Sequence, residues 1–437
     1  MYINLPKSVK FIIEKIKEHC EEAYIVGGCV RDSILGILPN DYDITTSAKP
    51  NKIIDIFKGY KIIENGIKHG TVGILIEDEV YEITTYRVEG EYEDNRRPKN
   101  VEFTSKLVDD LKRRDFTINA MAYNEEDKLI DYFDGVKDLH DKKIRTVGNP
   151  DERFIEDGLR IIRAIRFSSK LGFDIEKETF ESIKRNSSIL KNISRERVSD
   201  EIKKIILSEN PQKLGLLYSL NIFKELEIYS HVENYEDFCT KLTILKECNI
   251  SLEQRLLMIE FLILENNTKR LNKTKEKIEF YNKNIRKNNI VSKLKYPNNV
   301  TKYINNMIDY MLIDNIDLDK IDIKKILNKI GIDNLKDILK LKEIYYKKVG
   351  DCEEIEELSI RKHSIDKYTE FIEEIAKNNE CYKINDLDIN GNDLRLMGYS
   401  GKSIGEQLNL LLEIVICNPE KNSKSELMNL SRLNKID

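Results

Sequence analysis

A short apolar run, Tyr24-Ile25-Val26, leads directly into Gly27-Gly28-Cys29-Val30-Arg31-Asp32, and soon afterwards the chain carries Asp41-Tyr42-Asp43. The run reads as a strand ending in two glycines, and such a turn lets the backbone bring its N–H groups close to a polyphosphate. Arg31 then stands where a guanidinium pairs with phosphate, and Asp32-Ser33-Ile34-Leu35 reads as the helix that follows. In an extended strand Asp41 and Asp43 point to one side and Tyr42 to the other. Two neighbouring carboxylates can hold divalent metals, and a pair of ions about 3.5–4 Å apart activates an attacking hydroxyl while stabilising a leaving pyrophosphate. An all-oxygen ligand set favours magnesium. Asp-x-Asp alone is also common in surface turns, and Pro39-Asn40-Asp41 has turn character. The glycine turn, the arginine and the acidic pair in this order make the stronger signal.

Four further segments stand out: His69-Gly70-Thr71-Val72, Glu82-Ile83-Thr84-Thr85-Tyr86-Arg87, Arg113-Arg114-Asp115-Phe116-Thr117-Ile118-Asn119-Ala120, and Glu156-Asp157-Gly158-Leu159-Arg160-Ile161-Ile162-Arg163-Ala164-Ile165-Arg166-Phe167. From Glu152 to Leu171 apolar residues recur at three- and four-residue steps, which predicts one amphipathic helix. On it Asp157 and Arg160 project side by side. Cytosine and adenine both offer an amino donor beside a ring-nitrogen acceptor, so an Asp and an Arg at this spacing could select them over uracil and guanine, each pairing contributing roughly 1–3 kcal/mol of discrimination. The plain alternative is an intrahelical salt bridge, contributing only about 0.2–0.5 kcal/mol. Arg153, Arg163 and Arg166 flank the same face and suggest an anion such as a triphosphate.

The order and spacing of these segments resemble the class II CCA-adding tRNA nucleotidyltransferases and their bacterial poly(A) polymerase relatives, of the polymerase-beta superfamily. The resemblance spans about the first two hundred residues; the carboxyl-terminal half matches far less clearly. It implies an α+β fold: a nucleotidyltransferase head with a small mixed sheet over residues 1–147, a helical neck carrying a nucleobase template over 148–211, and helical body and tail over 212–349 and 350–437. It implies Asp41 and Asp43 as catalytic metal ligands for Mg²⁺, and nucleotide contacts at Gly28, Arg31, Arg114, Asp157, Arg160, Arg163 and Arg166. The run around Arg114 reads as the opening of a helix, on which Asp115 and Asn119, one turn apart, could reach a ribose hydroxyl; a helix N-cap at Asp115 is the alternative. Glu82 is a candidate third carboxylate, and His69 reads as structural. The polar run Arg87–Lys99 predicts a mobile loop, and in the resembled family a loop here is implicated in passing from cytidine to adenosine addition.

At 437 residues the chain should hold several domains. Its seven cysteines include no C-x-x-C pair, which fits reduced thiols in a cytoplasmic protein, and no long uncharged apolar run predicts a membrane segment. The net charge of −5 is offset locally by a basic run from Lys269 to Lys295, either a tRNA backbone track or a product of the chain's general lysine richness. Gly401-Lys402-Ser403 is not a Walker motif, because Leu396 stands where the upstream glycine belongs. The resemblance suggests that this tail region grips the acceptor and TΨC arm of tRNA. A lone His140-Asp141 assembles no hydrolase set. The expected activity is template-independent addition of C, C and A to tRNA 3′ ends from CTP and ATP, with pyrophosphate released. An A-adding specialist and a poly(A) polymerase are the near alternatives, and an inactive RNA-binding scaffold is the distant one. No protein partner is implied.

Overall fold

In the computed structural model, residues 2–90, 92–93, 97–98, 101–247, 249–271, 273–315, 317–349 and 355–433 are described. Two compact units divide the chain: Met1–Lys246 with Ser292–Lys295, and Glu247–Val291 with Tyr296–Asp437.

The first unit is built on one mixed sheet. Its strands are β1 (Ala23–Val26), β2 (Ile44–Thr46), β3 (Lys61–Ile63), β4 (Thr71–Ile76), β5 (Glu79–Thr85), β6 (Met121–Asn124) and β7 (Lys128–Asp131), in the order β7-β6-β1-β2-β5-β4-β3. Within this sheet only β2 and β5 run parallel, Ile44 opposite Ile83. β1 lies in mid-sheet between β2 and β6, and all four of its residues are buried, so it reads as a continuous apolar run without alternation. Helices α1 (Lys7–Lys17), α2 (Gly28–Ile34), α3 (Pro50–Ile56) and α4 (Leu107–Lys112) accompany the sheet. Val9, Ile12, Ile13 and Ile16 form the buried stripe of α1 at helical spacing.

The neck follows as α5 (Pro150–Glu156), α6 (Leu159–Leu171), α7 (Lys177–Asn186) and α8 (Arg195–Ile206). The sequence predicted one helix from Glu152 to Leu171; the structure breaks it at Asp157-Gly158, where Asp157 is extended with φ −136° and ψ 103°. The apolar periodicity continues through the break and hides it. A Cβ at Gly158 would sit 2.7 Å from Ile189 Cγ2, so the break brings the backbone close to the segment after α7. Helix α8 packs on α6, with Val198, Ile202, Ile205 and Ile206 buried.

Two further expectations change. Arg114 and Asp115 follow α4 and precede a short 3₁₀ turn, Thr117–Asn119, so they close one helix and open none. The predicted loop Arg87–Lys99 is partly ladder: Arg87–Glu89 pairs with Val101–Phe103, and Tyr92–Glu93 with Arg97–Pro98. Glu91, Asp94, Arg96 and Lys99 lie outside the described residues.

The second unit is helical. Its longest apolar element, α9 (Leu252–Thr268), starts with a capping box in which Ser251 and Gln254 satisfy each other's backbone N–H groups. A tail core gathers Leu387, Ile389, Leu394, Leu411, Leu412, Val415 and Leu427. Among the described residues no helix is long and apolar enough to cross a membrane, and the five cysteines among them, Cys20, Cys29, Cys239, Cys381 and Cys417, are free thiols.

Candidate active site

The Gly-Gly turn closes β1 and starts α2 at Gly28, several residues earlier than the sequence suggested. Gly27 has φ +83°, and a Cβ there would lie 2.9 Å from Arg114 Nη1. Only glycine satisfies both the left-handed backbone and this approach of a guanidinium. The chain from Asp41 to Asp43 precedes β2 and belongs to no strand, although the Asp43 carbonyl accepts from Val26 N at 3.0 Å and so extends the pairing of β1.

Asp43 keeps an exposed edge, but the protein around it withdraws enough water to push its carboxyl above the ordinary range. The Arg114 charge opposes this, and the negative charges of Asp41 and Glu82 add to it. The three carboxylates therefore share one electrostatic neighbourhood that a single arginine leaves under-neutralised. Arg114 reaches Asp110 at 3.5 Å through Nη2, and among the described residues its buried Nε has no hydrogen-bond partner. An anion beside Arg114 and a cation beside the carboxylates would each relieve a deficit. Among the described residues no group of three His, Cys, Asp or Glu side chains is already closed around an ion position.

Behind the turn lies a second, drier cluster. Arg31 is 4% exposed. It donates to Asp32 at 2.7 Å through Nε and to Asn119 Oδ1 at 2.6 Å through Nη1. Asn119 Nδ2 donates in turn to Asp115 Oδ1 at 3.1 Å. Asp115 Oδ2 accepts from Arg163 Nε at 2.9 Å. The two side chains expected to reach a ribose are thus already joined to each other, to α2 and to α6. Arg31, Arg163 and Arg166 surround the Phe167 ring at 5.2, 5.6 and 3.8 Å from its centroid. Arg166 also pairs with buried Glu201 of α8 at 2.7 Å.

The base-reading candidates sit at the break between α5 and α6. Asp157 Oδ1 accepts from Leu159 N at 3.1 Å and so caps α6, while Oδ2 accepts from Arg197 Nη2 at 3.1 Å. Arg160 is 8% exposed. Its Nη1 donates to Glu156 at 2.6 Å and its Nη2 to the Arg113 carbonyl at 3.1 Å, so the salt bridge weighed from sequence is present, but it spans the break between α5 and α6 and stands beside a link to the head. Arg197 and Glu201 were not singled out in the sequence. The only available signal was their position on the apolar-periodic helix α8, and their partners Asp157 and Arg166 are distant in sequence.

Two sequence profiles match this region: "Poly A polymerase head domain" over residues 23–145 and "Probable RNA and SrmB- binding site of polymerase A" over residues 172–228. Curated relatives include a CCA-adding enzyme of Ligilactobacillus salivarius, 47% identical over 237 residues, and one of Bacillus velezensis, 48% identical over 202 residues. Over these segments the chain is similar to CCA-adding enzymes and poly(A) polymerases. The aligned stretches cover 54% and 46% of this chain and 57% and 50% of those relatives, so the chain spans about half the length of the curated relatives it matches. Among solved structures, the Bacillus stearothermophilus CCA-adding enzyme in complex with CTP superposes with a TM-score of 0.68 at 27% identity, covering 97% of both chains. The Thermotoga maritima CCA-adding enzyme complexed with tRNA shares the fold, with a TM-score of 0.59 over 99% of this chain and 21% identity. The α+β head with helical domains after it is thus the architecture of these solved enzymes.

Proposed function

We propose that this protein adds C, C and A to the 3′ end of tRNA from CTP and ATP without a nucleic-acid template and releases pyrophosphate. The observation that carries this reading is the charge arrangement around Gly27-Gly28: Asp43 crowded by Asp41 and Glu82, facing an Arg114 whose Nε lacks a partner. It is supported by the names of the relatives, CCA-adding enzymes, and by the CTP bound to the Bacillus stearothermophilus enzyme.

In this reading Asp41 and Asp43, with Glu82 beside them, hold Mg²⁺. The carboxylate donor set suits a hard cation, and the raised Asp43 carboxyl fits a group awaiting positive charge. Bound there, magnesium supplies Lewis-acid polarisation of the reacting phosphate and of the attacking hydroxyl. The Gly28 turn and Arg114 bind the triphosphate and hold its α-phosphorus for attack by the terminal ribose hydroxyl. Arg31 and Arg163, locked through Asn119 and Asp115, set the position of α6 against the head, and Arg166 braces α6 on α8. Asp157 accepts from the exocyclic amine of the base. Arg160 donates to the ring nitrogen, exchanging its Glu156 contact for the base edge. Such a pair accepts cytosine and adenine and leaves uracil and guanine with opposed donors and acceptors, at roughly 1–3 kcal/mol per mispaired edge.

We assign the basic run Lys269–Lys295 only a partial share in RNA binding, because Lys277, Lys293 and Lys295 are engaged with Glu265, Glu227 and Glu196. The free thiols fit a cytoplasmic setting. The deciding experiment incubates the protein and Mg²⁺ with tRNAs ending at the discriminator base, after C74 or after C75, with each nucleotide singly and together. CCA addition that then stops is expected. Adenosine added only to the C75-ended tRNA would make it an A-adding specialist, an unlimited A ladder a poly(A) polymerase, and no extension despite tRNA binding would reject the catalytic reading.

A further inference from the structure

In the head, α1 and the residues just after α3 present three aromatic rings beneath one lysine. Lys15 Nζ lies 5.6 Å from the Phe11 ring centroid, 6.0 Å from that of Phe57 and 5.6 Å from that of Tyr60. Phe11 and Tyr60 are tilted at 50° with centroids 5.9 Å apart. Phe57 is fully buried and fixes Tyr60 edge-on at 6.0 Å. The outer two rings remain in water, Phe11 37% exposed and Tyr60 38% exposed. Packing thus holds two large rings in place without covering them, and an exposed aromatic pair on a rigid base is a stacking platform.

The surroundings indicate what stacks there. Tyr60 stands between Lys58 and Lys61, and Lys7 lies one turn before Phe11 on α1. Among the described residues none of Lys7, Lys15, Lys58 and Lys61 has a carboxylate within ion-pair distance, whereas Lys10 and Lys17 on the same helix are paired with Glu125 and Glu126. Glu14 and Asp55 on the two helices temper the local charge. Aromatic faces that accept any base, flanked by unpaired ammonium groups, are the chemistry of sequence-tolerant contact with single-stranded nucleic acid. We propose that Phe11 and Tyr60, with Lys15, Lys58 and Lys61, form a docking surface for unpaired RNA, separate from the nucleotide cleft. It grips by stacking together with its ammonium groups, so binding weakens as salt rises.

The test uses the full chain and a fluorescein-labelled, unstructured oligouridylate carrying 5-iodouridine, with no nucleotide or metal present. Irradiation of the wild-type complex should cross-link Phe11 or Tyr60, as read by peptide mass spectrometry. The Phe11→Ala/Tyr60→Ala variant should bind the oligonucleotide about tenfold or more weakly, with tRNA extension by CTP and ATP within twofold of wild type. Lys61→Glu, fully on the surface, should weaken binding without any change in melting temperature, which keeps the test open if the double variant does not fold. Cross-links confined to the cleft, unchanged affinity in both variants, or self-association of the wild type abolished by Tyr60→Ala without an RNA cross-link would each overturn the proposal. None of these outcomes depends on whether the cleft adds CCA.

Discussion

Arg163 and Asp115 pin the helix that would read the base to the head that would hold the triphosphate, Arg163 Nε donating to Asp115 Oδ2 at 2.9 Å. Asn119 continues the link by donating to Asp115 and accepting from Arg31. A change in the seating of α6 is therefore felt at the start of α2, and the orientation of any base reader on α6 is set relative to the glycine turn by side chains with little freedom.

This pair makes stability pH-dependent in a defined window. Burial acts to raise the Asp115 carboxyl, but the Arg163 charge and hydrogen bonds from Asn119 and Arg163 outweigh it and hold the group down at about 2. Its folded value lies below the unfolded one of about 3.9, so its contribution is complete above that value and is lost as pH falls from about 4 to about 2. Asp115→Asn should cost about 2–3 kcal/mol at pH 7. Urea unfolding of both proteins at steps from pH 7 to pH 3 should show the gap narrowing in acid, and a gap constant over the series would remove Asp115 as its source.

Much of this site is local pattern and could be read from sequence: the strand, the two glycines, the acidic pair and the arginines of α6 lie within short windows whose chemistry is self-evident. What escaped depends on partners far along the chain. The partners of Arg31 were hidden because nothing nearby in sequence shows Asn119 folding back onto it. Asp157 looked like a mid-helix residue because apolar spacing continues on both sides of Gly158, although Ile189 forces the backbone close there. Arg197 drew no attention because its partner Asp157 is far away in sequence, at the break between α5 and α6. Strand β1 was legible from its apolar run, while the pairing of Arg87–Glu89 with Val101–Phe103 needed a register that sequence alone does not supply.

Arg197 is a specificity handle by this geometry. Its Nη2 donates to Asp157 Oδ2 at 3.1 Å, and its buried Nη1 has no hydrogen-bond partner. Arg197→Met should free the Asp157 carboxylate to rotate and lower the ratio of kcat/KM for CTP over UTP about tenfold, the equivalent of roughly 1.4 kcal/mol of discrimination. Steady-state incorporation of each nucleotide into a tRNA lacking its terminal CCA measures the ratio. An unchanged ratio with lower kcat for both nucleotides would make Arg197 a purely structural support.

Asp43 carries the opposite signature from Asp115. Desolvation, reinforced by Asp41 and Glu82 against the pull of Arg114, raises its carboxyl above the unfolded value. A carboxyl raised on folding contributes stability only below its unfolded pKa and loses it as pH climbs through the folded one, so at neutral pH the ionised group is a burden. Asp43→Asn should therefore abolish incorporation of both nucleotides while raising the melting temperature at pH 7, and the rise should shrink toward pH 4. Retained turnover would end the catalytic assignment, and a lowered melting temperature would show that Asp43 holds the fold together.

Glu260 offers the same logic in the second unit without any tie to catalysis. It is buried on α9; Oε1 accepts from Ile290 N at 3.1 Å and Oε2 has no partner. Burial pushes its carboxyl up to about 8, with the Ile290 hydrogen bond opposing. The folded protein thus holds this group protonated at pH 7 while the unfolded chain, titrating near 4.3, releases the proton. Its contribution to stability is full below about 4.3, declines as pH rises, and levels off once both states are ionised above about 8. Glu260→Gln keeps the acceptor for Ile290 and cannot ionise. The variant should match wild type near pH 5 and exceed it at pH 9 by on the order of 3–5 kcal/mol, read from the unfolding transition of the second unit in a urea series. Parallel pH profiles for the two proteins would mean that water reaches Glu260 and that its charge is solvated in the fold.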